Sequence, residues 1–133
     1  MKRVLTFGVF DLLHFGHINA IKKAKALGDQ LVIGVFSDEV ATAFKRKPIL
    51  DEVERAINIE ALGLADTVFI LDNFDPSHDL AFYNIDIVAK AEGSGWSKES
   101  IPQFLGVKSV LLDYTEGIST SEIINRIKER NDL

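Results

Sequence analysis

The chain has 133 residues, of which 47% are hydrophobic, a formal net charge of −5 and no cysteine. Those numbers fit one domain, residues 1–133, with one core. They exclude disulfides, thiolate chemistry and cysteine-ligated zinc, and they argue against a general nucleic-acid binder, which would show a basic excess. No apolar stretch approaches the ~20 residues that span a bilayer, and Met1-Lys2-Arg3-Val4 enters an apolar run with no signal-peptide pattern. The reading is a cytoplasmic protein without nucleic-acid or membrane partners.

Arg3 to Phe7 reads as a buried strand, and Gly16 to Leu27 as a helix with Ile18, Ile21 and Ala24 inward and Lys22, Lys23 and Lys25 toward solvent. Gly28-Asp29 ends that helix. Gln30 to Phe36 is a near-continuous apolar run, the pattern of a strand covered on both faces. Ser37 or Asp38 caps a short helix through Phe44, and Lys45 to Leu50 is a loop broken by Pro48. Asp51 caps a helix through Leu62, with Gly63 as the stop. Thr67 to Leu71 is a strand, Pro76 opens a short helix, and Ile85 to Ala91 contains a fourth strand. Glu92 to Gly106 is read as loop plus a short helix, and Lys108 to Leu112 as the fifth strand. Ser119 or Thr120 starts a last helix with Ile123, Ile124 and Ile127 on its inner face.

Strands alternating with helices imply an α/β, Rossmann-like three-layer fold with a five-stranded parallel sheet. Ligands of such sheets sit beyond the carboxyl ends of the strands, where the strand order reverses. The loop after the first strand is therefore the expected site. It carries His14 and His17 around Phe15-Gly16 at the start of a helix. Exposed backbone N–H groups and the helix dipole favour a phosphate there, and Gly16 lets it approach closely.

Gly8-Val9-Phe10-Asp11-Leu12-Leu13-His14-Phe15-Gly16-His17 resembles the GxFDLLHxGH segment of the cytidylyltransferases, within the HxGH nucleotidyltransferase superfamily. Thr115-Glu116-Gly117-Ile118-Ser119-Thr120-Ser121 resembles their RTEGIST signature, and Glu54-Arg55 their EER segment. That group includes the glycerol-3-phosphate, phosphocholine and phosphoethanolamine enzymes. The resemblance implies transfer of CMP from CTP to a small phosphorylated acceptor, Mg²⁺ carried in with the nucleotide, and a homodimer. It implies a catalytic set of His14, His17, Lys45 and Arg55. The implied nucleotide contacts are Gly8, Val9, Phe10, Asp11, His14, His17, Glu92, Gly93, Tyr114, Thr115, Gly117, Ile118, Ser119 and Thr120.

The chemistry agrees with those residue types. In-line attack of an acceptor phosphate on an α-phosphorus needs positioning and charge stabilisation, not a covalent nucleophile on the enzyme. His14 and His17 lie about one helical turn apart, so both rings can face one phosphate. Ser119 and Thr120 open a helix whose N–H groups can hold the β- and γ-phosphates. Lys45 or Lys47, with Arg55, supplies positive charge, and Asp11 orients a lysine or holds magnesium through water.

Two departures bear on the substrates. Tyr114 stands where the family has arginine, and Glu92-Gly93-Ser94-Gly95-Trp96 resembles its GDDW segment with both aspartates lost. These changes point to an atypical acceptor, such as a phosphorylated amino-acid or sugar-like compound for a surface polysaccharide. Two alternatives remain at this stage: adenylyl transfer in coenzyme metabolism, and a catalytically silent nucleotide-binding module. A dinucleotide-dependent oxidoreductase is disfavoured, because the first βα turn has no G-x-G-x-x-G.

Overall fold

A computed structural model describes residues 1–133. Five strands form one all-parallel sheet: β1 (Arg3–Gly8), β2 (Gln30–Phe36), β3 (Thr67–Leu71), β4 (Ile87–Ala91) and β5 (Lys108–Leu112). Their order is β3-β2-β1-β4-β5. The chain runs outward from β1 to β3, then returns to β4 on the other side of β1. The reversal therefore falls between β1 and β4, and their carboxyl ends open a crevice there.

The strands are apolar on both faces because both faces are covered. Val4, Leu31, Ile33, Val35 and Ala89 pack with Ile21 and Ala24 of α1 (Phe15–Lys25) and Ile59 of α3 (Glu52–Ala61). On the opposite face Leu5, Phe7, Val32, Phe36 and Val88 pack with Val40 and Ala41 of α2 (Asp38–Phe44) and Leu80 of α4 (Ser77–Phe82). Neighbouring residues of β1 and β2 thus enter opposite layers, as the two-residue period of a strand requires.

Most helix ends follow their capping residues. The Ser37 hydroxyl accepts from Val40 N–H at 3.2 Å, and the Asp51 carboxylate from Glu54 N–H at 2.8 Å. α1 stops at Lys25, two residues before the expected Leu27, because the next N–H groups tighten to i→i−3 bonds, Leu27 onto the Ala24 carbonyl at 3.1 Å and Gly28 onto Lys25 at 3.4 Å.

Two expectations fail. Residues 92–106 contain no helix; three isolated bridges, Glu92–Trp96, Ser97–Ser100 and Phe104–Val107, fold this stretch back on itself. Gly93 and Gly95 adopt φ of +87° and +98°, which no right-handed helix admits. In α5 (Thr120–Glu129) Ile123 and Ile124 are half-buried, but Ile127 is 51% exposed rather than inward. Both core layers close without α5, so its apolar period marks a face that nothing in the chain covers at Ile127.

Candidate active site at the β1–β4 crevice

The chain after β1 leaves the sheet through strained backbone: Phe10 and Leu12 have φ of +56° and +50°. This turn is held from several sides. Both carboxylate oxygens of the buried Asp11 accept backbone N–H groups of the 45–50 loop, from Ile49 at 2.7 Å and Leu50 at 3.0 Å. The Asp11 carbonyl accepts from Thr120 Oγ1 at 2.9 Å. Asp11 therefore ties the first loop to the second loop and to α5. Its oxygens are occupied by main chain, contrary to the expected lysine- or magnesium-directed role. No cluster of three His, Asp or Glu side chains is placed to cage a metal.

His14 is the N-cap of α1. Its Nδ1 accepts from Gly16 N–H at 3.1 Å, while His17 Nδ1 accepts from His14 N–H at 3.3 Å. A neutral imidazole whose Nδ1 accepts carries its proton on Nε2. Both rings therefore keep an Nε2–H donor away from the main chain. That of His14 lies 3.4 Å from Thr120 Oγ1, which is free to accept because its own proton goes to Asp11. The rings stack with centroids 3.8 Å apart. Burial lowers the His14 pKa, and burial with the nearby His14 pulls His17 down to about 3. Near neutral pH both are uncharged donors. Gly16 is tightly enclosed: a Cβ there would lie 2.9 Å from His14 Cε1 and 3.1 Å from Ile118 Cγ2, so the ring would have to shift.

A cavity of about 250 Å³ opens over these rings. Gly8, Val9, Phe10, Asp11, His14 and His17 line it from β1 and α1, and Lys45 from the loop after α2. Glu92 and Gly93 line it from beyond β4; Tyr114, Thr115, Ile118, Ser119 and Thr120 come from the approach to α5. The two ends of the chain thus meet over one crevice. Ser119 Oγ caps α5 by accepting from Glu122 N–H at 3.1 Å. Lys45 Nζ and Arg46 donate to Ser121 Oγ at 3.2 and 3.3 Å, closing one rim.

Two expected residues stand outside the lining. Gly117, at φ +88°, shapes the turn before α5 without facing the cavity. Arg55, expected to face the triphosphate, is fully buried. Its guanidinium donates to the carbonyls of Leu50 (3.0 Å), Val9 (2.8 Å) and Phe36 (2.7 Å) and pairs with Asp38 at 2.8 Å. It fastens the ends of β1 and β2 to α2 and has no donor directed at a ligand.

Sequence reasoning missed Lys90. It lies in β4, is 4% exposed, and lines the cavity with Nζ 4.4 Å from the Phe7 ring centroid. Burial pulls its pKa from 10.5 to about 8. The available signal was a single cation in the apolar run Ile87-Val88-Ala89-Lys90-Ala91, at the end of a strand bordering the reversal.

A cytidylyltransferase-like family model matches residues 5–126, both signature segments included. The chain belongs to the cytidylyltransferase-like family. It is 38% identical over 132 residues to a bifunctional protein HldE of Campylobacter jejuni subsp. doylei, covering 97% of this chain and 28% of that protein. It is 37% identical over 134 residues to the bifunctional protein HldE of Helicobacter pylori strain P12, covering 98% of this chain and 29% of that protein. The chain thus spans under a third of the length of these curated relatives. Its fold matches the crystal structure of a lipopolysaccharide core biosynthesis protein from Thermoplasma volcanium GSS1, with a TM-score of 0.73 and 28% identity over 89% of this chain and 99% of that one. In this cytidylyltransferase-like chain the five-stranded parallel sheet is as the sequence implied.

Proposed function

We propose that the chain is a nucleotidyltransferase that moves CMP from CTP to a small phosphorylated acceptor, releasing pyrophosphate. An acceptor phosphate oxygen attacks the α-phosphorus. The new O–P bond forms as the bond to the bridging oxygen breaks, and the electron pair leaves with pyrophosphate. The acceptor oxygen is already deprotonated at neutral pH, so no base is required.

The observation that carries this reading is the pair of neutral imidazoles, His14 and His17, each with Nδ1 spent on main chain, lining one cavity together with the start of α5. The two imidazoles donate to α-phosphate oxygens as charge builds on them. The Ser119 hydroxyl, with the first free N–H groups of α5, receives the β- and γ-phosphates, while Thr120 holds the start of that helix on the Asp11 carbonyl. Lys45 supplies mobile positive charge at the rim. Mg²⁺ belongs to this proposal as the counter-ion of the triphosphate. A phosphorylated sugar or sugar-like acceptor for a surface polysaccharide is favoured by the likeness to the lipopolysaccharide core biosynthesis protein. The working unit is proposed to be a cytoplasmic homodimer.

Adenylyl transfer is the second reading. Ser94, Gly95 and Tyr114 stand where the resembled pattern has charged side chains, which loosens the tie to cytosine. A nucleotide panel with pyrophosphate detection, run against a library of phosphorylated small molecules with the adducts identified by mass, tests both. A CDP-linked adduct is expected. Turnover of ATP without CTP would replace cytidylyl by adenylyl transfer, and no turnover with any pair would sink both.

A further inference from the structure

Lys90 is a buried cation without a counter-ion. None of the ion pairs in the molecule includes it. Its Nζ has one hydrogen-bond acceptor, the Ser94 carbonyl at 2.8 Å, which leaves two of its three donors unused. Its other neighbours are ring faces: Phe7 at 4.4 Å, Phe36 at 5.5 Å and Phe44 at 6.0 Å. Cation–π contacts offset part of the cost of burying such a charge but do not replace an anion.

The place of Lys90 is equally specific. It borders the cavity of His14 and His17 and also a second cavity, which shares Phe7, Phe36, Phe44 and Ser94 with the first. Phe36, Phe44 and Phe74 form a mutually packed triangle on this side, with centroids 5.9–6.2 Å apart. Phe44 and Phe74 are 41% and 48% exposed at its mouth. One cation thus marks the junction between the cavity of the two imidazoles and a second, aromatic-walled one.

We propose that Lys90 Nζ anchors the phosphate of the acceptor at the junction of the two cavities, with the acceptor's carbon body lying against Phe36, Phe44 and Phe74. This rests on the nucleotidyl-transfer reading and assigns the second substrate its place. An acceptor phosphate at Lys90 borders the cavity of the imidazole donors, and its charge is neutralised as it approaches the anionic α-phosphate. At neutral pH a lysine with a pKa of about 8 remains protonated and able to do this.

The test is an NMR titration of the Lys90 side chain, assigned through its own backbone, in the intact wild-type chain and in a His17→Asn chain whose amide spectrum shows it folded. The probe is inorganic phosphate. The proposal expects phosphate to raise the Lys90 pKa by about one unit or more, in the wild type and equally in His17→Asn. No shift overturns it. A shift that vanishes in His17→Asn also overturns it, because Lys90 would then serve the triphosphate. In turnover, Lys90→Met is expected to raise the acceptor KM roughly tenfold or more while leaving the nucleotide KM near its wild-type value; the reverse split counts against the assignment. If phosphate shifts Lys90 but no nucleotide is ever turned over, the anion site stands and nucleotidyl transfer falls.

Discussion

Thr120 Oγ1 donates to the Asp11 carbonyl at 2.9 Å across 109 residues of sequence, and this bond joins the loop after the first strand to the start of the last helix. The same oxygen lies 3.4 Å from His14 Nε2. One hydroxyl therefore sets both the approach of α5 and the environment of an imidazole. Thr120→Val keeps the shape and removes both contacts. It is expected to lower kcat/KM about tenfold to a hundredfold, with a destabilisation of about 1 kcal/mol. Steady-state kinetics beside a urea melt would separate the two; a variant with wild-type kinetics would show that the bond only fastens the loops.

In the proposed transfer, His17→Ala removes one of two donors to the developing charge. The expected loss is about 10²–10³ in kcat, with a much smaller change in nucleotide affinity measured by calorimetry. Near-normal kcat in both His14→Ala and His17→Ala would remove the histidines from the mechanism.

The lowered pKa of His17 makes stability depend on pH in a definite direction. Between the ordinary value of 6.5 and the folded value of about 3, the unfolded chain binds more protons than the folded one. Stability therefore rises with pH across that window and falls as the solution is acidified through it. Urea melts at a series of pH values from 7 to 4 should show this slope in the wild type and a shallower one in His17→Ala. Identical slopes would contradict the burial of the neutral ring.

Arg55→Met tests whether this arginine is a fastener or a ligand contact. Four hydrogen bonds, one of them to Asp38, disappear from a fully buried site. The expected cost is about 3–5 kcal/mol of stability. Unchanged stability with a selective loss of triphosphate affinity would restore the direct role.

Gly16→Ala places a methyl group 2.9 Å from His14 Cε1. The ring must shift, which moves its Nε2–H away from Thr120. A loss of activity well beyond the loss of stability is expected, the latter being about 1–3 kcal/mol. Equal, small effects would mean the turn absorbs the added carbon.

Much of this molecule was legible in its residues, for identifiable reasons. The five strands announce themselves because a sheet covered on both faces demands unbroken apolar runs such as Leu31-Val32-Ile33. Ser37, Asp51 and Ser119 mark helix starts because their side chains meet the free N–H groups there. The crevice was legible because its two walls carry separate signature segments. Other features were not. A cation opening a helix reads alike whether it meets a ligand or, like Arg55, three carbonyls brought together only by folding. Lys90 is one charge in an apolar strand, and only the tertiary structure shows that no carboxylate answers it. Ile127 obeys the helical period, but periodicity cannot say whether a partner surface exists.

The orientation of the two imidazoles limits what the proposed transfer can join to a nucleotide. With each Nδ1 committed to main chain, neither ring can pass a proton from one nitrogen to the other, and burial weakens both as bases, His17 the more so. An unphosphorylated alcohol, which must surrender a proton to react, finds no recipient among them. Under the proposed transfer, a preference for substrates that arrive already ionised would originate in the first turn of a helix, well before any pocket measures their shape.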